Sequence, residues 1–335
     1  MPIIIFAHNF ITLINNVKRS ELNKNIFSIS SFRALDALVV FFALFLSFIN
    51  LIFFYKIENW LVNIIANLLT IVIIFLICYF TRSNGNILLH QLKFWYPVPL
   101  IFLTFKEIYL MVKPLHEFDI DYILIKIDRF IFGFDPTHEL FKISNPFLTE
   151  LLQIVYGTFF FLPIILGIHL LLQKRFIEFE YATFIIVLGF FLSYIGYLLF
   201  PAIGPRFTLH DFEATNTELP GLLLTNFLRE IVNAGESIPT GTMNPIEIVQ
   251  RDVFPSGHTQ MTLLVMFMSL KFNVKSKYFF IPNGLLLIFS TIYLRYHYFI
   301  DIIGGFVFMV LTLWLGKILF NWWAVKSSRE KFYFN

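Results

Sequence analysis

The chain has 335 residues, of which 58% are hydrophobic and only 14% charged, with 45 phenylalanines and a mean hydropathy of +0.75. A soluble domain carries about 25% charged residues, so this composition excludes an ordinary soluble fold and points to lipid. A formal charge of +3 with no dense basic cluster argues against a nucleic-acid partner. A single cysteine, Cys78, excludes an internal disulfide and a thiolate metal site.

Residues 1–33 read as an interfacial amphipathic segment. The apolar run from Met1 to Ile14 is broken by His8 and Asn9, and Lys18, Arg19 and Lys24 follow it, the reverse of a secretory signal. A spanning helix needs about 20 mainly apolar residues. About eight stretches fit: approximately 34–54, 61–81, 95–112, 147–172, 181–200, 256–271, 278–296 and 299–322. The predicted fold is therefore all-α, a polytopic membrane helical bundle. The membrane domain covers 34–323 and a cytoplasmic tail covers 324–335. Arg33 and Asp36 are spaced as an interfacial i,i+3 pair. Lys106 and Glu107 fall inside the third stretch, where snorkelling suits the lysine and an interhelical bond suits the glutamate. Gly304 and Gly305 near the start of the last stretch permit close helix packing.

Two polar insertions, 113–146 and 201–255, interrupt the apolar stretches. With eight crossings both fall on the face opposite the N-terminus. The N-terminal face collects short basic loops: Arg82 and Lys93, Lys174 and Arg175, then Lys271, Lys275 and Lys277. Short basic loops mark the cytoplasm. Both termini are thus expected inside and the insertions outside, and the compact loops favour a bacterial inner membrane.

This topology gathers polar residues from separate places at the outer face. His297 and Asp301, at i,i+4 on one helical face, suit an imidazole whose Nδ1–H is held by a carboxylate and whose Nε2 is free as a nucleophile. Pro255-Ser256-Gly257-His258-Thr259 places a serine N-cap before an apolar run. The free N–H groups of such a helix start, with Ser256 and Gly257, suit a phosphate, and His258 suits protonation of a leaving oxygen. Arg206, after Gly204-Pro205, and Arg295 are arginines that meet phosphate oxygens bidentately. For Arg295 and His297 to face one phosphate, the helix must break near Tyr296.

At these residues the chain resembles the type 2 phosphatidic acid phosphatase superfamily, whose motifs are K-x6-R-P, P-S-G-H and S-R-x5-H-x3-D. The second matches fully at Pro255 to His258. In the third, Ser290, His297 and Asp301 fall in place, but Thr291 occupies the arginine position. Arg295, one turn later, lies on the same helical face. In the first, Arg206 matches, whereas Leu199 and Phe207 replace the lysine and the proline. The resemblance covers roughly residues 195–310 and is nearest to the inositol phosphorylceramide synthase-like branch, which includes sphingomyelin synthase. It implies a six-helix core, a phosphohistidine on His297, His258 as general acid and Asp301 as the group that orients His297. The expected activity is transfer or hydrolysis of a membrane lipid phosphate, with an alcohol or water as acceptor and with neither metal nor cofactor. A simple lipid-phosphate or polyprenyl-diphosphate phosphatase is the alternative, and a non-catalytic lipid-headgroup transporter is the alternative from another class.

Overall fold

The computed structural model describes residues 32–84 and 87–334, and the regular elements among them are all helices. The segment expected over 1–33 lies outside the described residues apart from Phe32 and Arg33. The first helices are α1 (Ala34–Ile52), α2 (Trp60–Asn84), α3 (Ile87–Trp95) and α4 (Pro97–Leu115). Two short helices, α5 (Asp121–Phe132) and α6 (Pro136–Phe141), fill the first polar insertion. Then come α7 (Pro146–Gly157), α8 (Phe161–Leu172) and α9 (Phe176–Leu199). The second insertion holds α10 (Pro205–Thr208), α11 (Thr215–Glu218), α12 (Thr225–Gly235) and α13 (Pro245–Ile248). The chain closes with α14 (Gly257–Lys271), α15 (Lys277–Tyr293) and α16 (Phe299–Lys326).

Among the described residues four helices are long and apolar enough to cross a membrane: α1, α2 over Trp60–Thr81, α9 and α16. The protein is thus an all-α integral membrane protein. The pair α7 and α8 makes a fifth span if its two parts, bent by 53°, cross together. Gly157 ends the first part and Pro163 stands in the first turn of the second, the residues that break helices. The other three expected stretches are helical for part of a bilayer's depth or carry charge. At 15 residues, α14 is about 22 Å long, short of a hydrocarbon core of about 30 Å. Helix α15 has 17 residues, and α4 carries Lys106, Glu107 and Lys113.

The described residues divide into two compact units, one of those up to Glu107 with 167–188 and those from Leu313 on, the other of 108–166 and 189–312. In the first, only 22% of the Trp60–Thr81 window is buried, leaving the apolar surface that lipid covers. Polar groups are matched inside it. Glu107 accepts from Asn50 at 2.9 Å and Asn67 at 2.8 Å, and Asn63 donates to Asn50 at 2.9 Å. Arg33 and Asp36 pair at 2.9 Å but are buried rather than interfacial. Tyr96 donates to the same carboxylate at 2.8 Å, Cys78 lies 3.6 Å from it, and Arg33 also bonds the Lys93 carbonyl. The tail folds back, with Phe332 stacked on Tyr181 at 4.2 Å.

The second unit contains the polar insertions and the motif residues. Its cores are small and aromatic. One joins Leu152 and Tyr156 of α7 to Leu219 and to Tyr293, Leu294 and Tyr296. Another joins Leu124 of α5 to Ala202, Val253 and Tyr298. These cores clamp the ends of α9, α14, α15 and α16 where the motif residues lie.

Candidate active site

The start of α14 is capped as its sequence requires. The Ser256 side chain accepts from Thr259 N–H at 3.2 Å, and the Ser256 N–H donates to the Asp301 carbonyl at 3.1 Å. The Gly257 N–H is hydrogen-bonded to the Tyr197 hydroxyl. A Cβ on Gly257 would stand 2.4 Å from that hydroxyl, so the close approach needs glycine. Ser256 and Gly257 thus build the turn and bind it to its neighbours.

That turn aims His258 at His297. His297 Nε2 lies 3.4 Å from His258 Nδ1, and His297 Nδ1 lies 3.3 Å from Asp301 Oδ2. The same carboxylate oxygen accepts the Tyr298 N–H at 2.7 Å. The Asp301 side chain is wholly buried, and its other oxygen, Oδ1, has no hydrogen-bond partner. Burial, with His258 alongside and Arg206 nearby, holds the His297 imidazole well below its ordinary pKa. His297 is therefore neutral at pH 7, with a lone pair for Nε2 once Nδ1 carries the proton. His258 is held by aromatic rings, stacked on Tyr156 at 4.6 Å and tilted against Phe159 at 4.2 Å.

Arg206 and Arg295 take different directions. Arg206 is buried over the Tyr296 ring at 5.1 Å. Tyr296 stacks on Tyr156 at 4.5 Å and Tyr156 on His258, so a column of rings connects the guanidinium to the histidine pair. Asn233 accepts from Arg206 at 2.9 Å and Glu236 pairs with it at 3.3 Å. Arg295 is not part of this column. Helix α15 ends at Tyr293, three residues before Tyr296, and Arg295 adopts φ +67°. Its guanidinium pairs with Glu218 and lies 5.0 Å from the Phe141 ring. The left-handed turn brings His297 N–H back to the Thr291 carbonyl at 3.0 Å, which aims the imidazole at His258.

Two aspartates hold the loops around the pair. Asp121 accepts from Gly204 N–H at 2.8 Å, Ile203 N–H at 3.0 Å and the Tyr298 hydroxyl at 2.7 Å. Asp128 accepts the Phe299 and Ile300 N–H groups at 2.7 and 2.9 Å, satisfying the orphan donors at the start of α16 from another helix. In the sequence both are simply acidic residues of the first polar insertion. Their signal is an i,i+7 spacing, two turns on one face of α5. Tyr156 carries no signal among so many aromatic residues.

With this geometry in place, comparison with protein families is decisive. A model of the PAP2 superfamily matches residues 123–315, more than half of the chain. The chain belongs to the PAP2 superfamily. No match was found among curated proteins or among solved structures. The matched range contains Asp128, Arg206, both histidines and Asp301, and Asp121 lies two residues before it. Membership in the PAP2 superfamily, with span-capable helices, points to a membrane enzyme of the phosphatase or phosphotransferase type.

Proposed function

We propose that the protein transfers a phosphoryl group from a membrane lipid through a phosphohistidine on His297, in the manner of inositol phosphorylceramide synthase. The observation that carries this reading is His297 held by Asp301 at Nδ1 and facing His258 at Nε2, at 3.3 and 3.4 Å. In the first step Nε2 attacks phosphorus and the P–O bond to the leaving group breaks. The imidazolium of His258, protonated beside the incoming phosphate anion, gives its proton to the leaving oxygen. In the second step an alcohol or water attacks phosphorus, His258 takes its proton, and the P–N bond breaks to restore neutral His297. Asp301 keeps the proton on Nδ1 and offsets the positive charge of the phosphoimidazolium. Arg206 is the proposed partner of the phosphoryl oxygens, because the Ser256, Gly257 and Thr259 N–H groups are already taken by Asp301, Tyr197 and Ser256. Both termini are proposed to be cytoplasmic and the site outside.

His297→Ala is expected to abolish turnover and all acid-labile covalent phosphate. His258→Ala is expected to lose about 10²–10⁴-fold on the lipid but much less on a nitrophenyl phosphate, whose leaving group needs no proton. Asp301→Asn falls between them, because it keeps the shape but favours the wrong tautomer. Activity should persist in EDTA. Covalent phosphate retained in His297→Ala, or an activity abolished by EDTA and restored by a divalent cation, would refute the reading.

A further inference from the structure

Helix α5 is turned inside out for a helix in a polar insertion. Its carboxylates Asp121 and Asp128, two turns apart, face inward and are 5% and 2% exposed. Ile123 and Phe130, also two turns apart, lie on the opposite face and are 51% and 91% exposed. Phe118 before the helix and Phe134 after it are exposed as well. Lys126 stands between the two outward residues, but it donates to the Tyr122 hydroxyl and so turns along the helix. A helix facing water carries the reverse pattern, charge outward and apolar groups inward. An apolar face of this kind needs a cover.

The neighbouring spanning helix says what the cover is. At the end of α5, Phe132 packs edge-on against Phe299 at 4.7 Å. Phe299 is the first residue of α16. It heads a stripe that runs through Ile303, Phe306 and Val310 at helical spacing, and these three are exposed on a helix long and apolar enough to cross a membrane. The outward face of α5 is thus continuous with the lipid-facing side of α16, at the level where that span begins. Tyr122, exposed on the border of the face, is a residue type that favours the headgroup layer.

We infer that α5 lies in the leaflet at which α16 begins, with its outward face sunk among headgroups and upper acyl chains, and that the bilayer thereby positions the active site. The link is short. Asp128 accepts the Phe299 and Ile300 N–H groups, immediately before Asp301. Asp121 accepts the Ile203 and Gly204 N–H groups, just ahead of Arg206. A helix held by lipid on one face therefore holds, with the other, both the helix that carries Asp301 and the loop that carries Arg206. The coupling to activity rests on the phosphoryl-transfer reading above, whereas the lipid contact stands on the helix itself.

The full chain carrying Cys78→Ala and Phe130→Cys is labelled at residue 130 with an environment-sensitive fluorophore. It is then reconstituted in vesicles of phosphatidylcholine and phosphatidylglycerol. Lipids bearing a nitroxide just below the headgroup should quench the label by about half or more, and iodide present on both sides should quench it weakly. Quenching by iodide and not by the nitroxide puts the face in water and overturns the inference. Shielding from both quenchers means that protein, such as a second copy of the chain, covers the face, and overturns it too. Coupling is measured in the same vesicles with nitrophenyl phosphate, a soluble substrate that needs no lateral entry from lipid. Phe130→Glu, which expels the face from the leaflet, should lower kcat by about tenfold through misalignment of the site, with KM little changed. Phe130→Trp, an interfacial aromatic, should retain the activity. A Phe130→Glu variant with wild-type kcat overturns the coupling. A label quenched by the nitroxide in a protein that turns over no phosphate ester keeps the lipid contact and loses the reaction. Turnover with a label quenched only by iodide keeps the reaction and loses the lipid contact.

Discussion

Thr291 and Arg295 are one turn apart, and an unbroken helix sends both side chains to one face. The helix stops at Tyr293, and the φ of +67° at Arg295 sends its guanidinium to Glu218 instead. A non-glycine residue in the left-handed region costs roughly 1–2 kcal/mol, and here the turn that carries this cost also places His297. Asp128 acts on the same segment from outside. Asp128→Ala leaves the Phe299 and Ile300 N–H groups without their acceptor. It should destabilise the protein by about 1–2 kcal/mol, as loss of a helix cap does, and lower activity by loosening Asp301. Thermal shift and turnover, with exposed Lys126→Ala as control, check this. An unchanged Tm with unchanged turnover would deny Asp128 its positioning role.

At the scale of elements, the site is made where α16 passes α14. A Cβ on Gly305 would stand 2.6 Å from the Ser256 carbonyl oxygen and 2.8 Å from Thr259 Cβ, both rigid parts of a helix start. Gly305→Ala must therefore push the two helices apart, and the Ser256–Asp301 backbone bond with them. The expected cost is about 1–3 kcal/mol, typical of overpacking, with a loss of activity larger than the loss of folded protein. Gly316→Ala on the same helix meets the Ile185 Cδ1 atom at 2.1 Å, the movable end of a side chain, and should retain activity. Equal activity in the two variants would remove the contact's role in aligning His297 with His258. The close packing read from Gly304-Gly305 thus has a specific partner, the capped turn at Ser256.

For the whole molecule, orientation in the membrane decides which side the substrate comes from. Met243 is almost fully exposed within the second insertion and Lys275 is exposed between α14 and α15. On a Cys78→Ala background, Met243→Cys should react with an impermeant maleimide in intact cells. Lys275→Cys should react only after permeabilisation. The opposite pattern would put the site on the cytoplasmic side. Cys78 is buried beside Asp36, so its replacement removes a background thiol while exposing no new surface.

The sequence by itself determined the solvent and the chemistry. A chain this apolar dissolves in lipid, and P-S-G-H with H-x3-D specifies a capped helix start and an oriented imidazole from local spacing alone. Asp301 reaches His297 across the start of α16, since His297 stands two residues before Phe299, outside the helix, rather than one turn earlier on it as the i,i+4 spacing suggests. Tertiary structure decided everything that depends on where separate segments meet. His258 faces His297 because α14 and α16 touch at Gly305. Arg206 stays with the column of rings because Asn233 and Glu236 hold it, whereas Arg295 leaves with Glu218. Asp121, Asp128 and Tyr156 hold the site through groups 83 or more residues away. Span length was also beyond reading, because hydropathy registers apolar composition whereas the end of a helix is set by its caps and turns. A single sequence encodes local periodicity directly, but long-range contacts appear only when the chain has closed on itself.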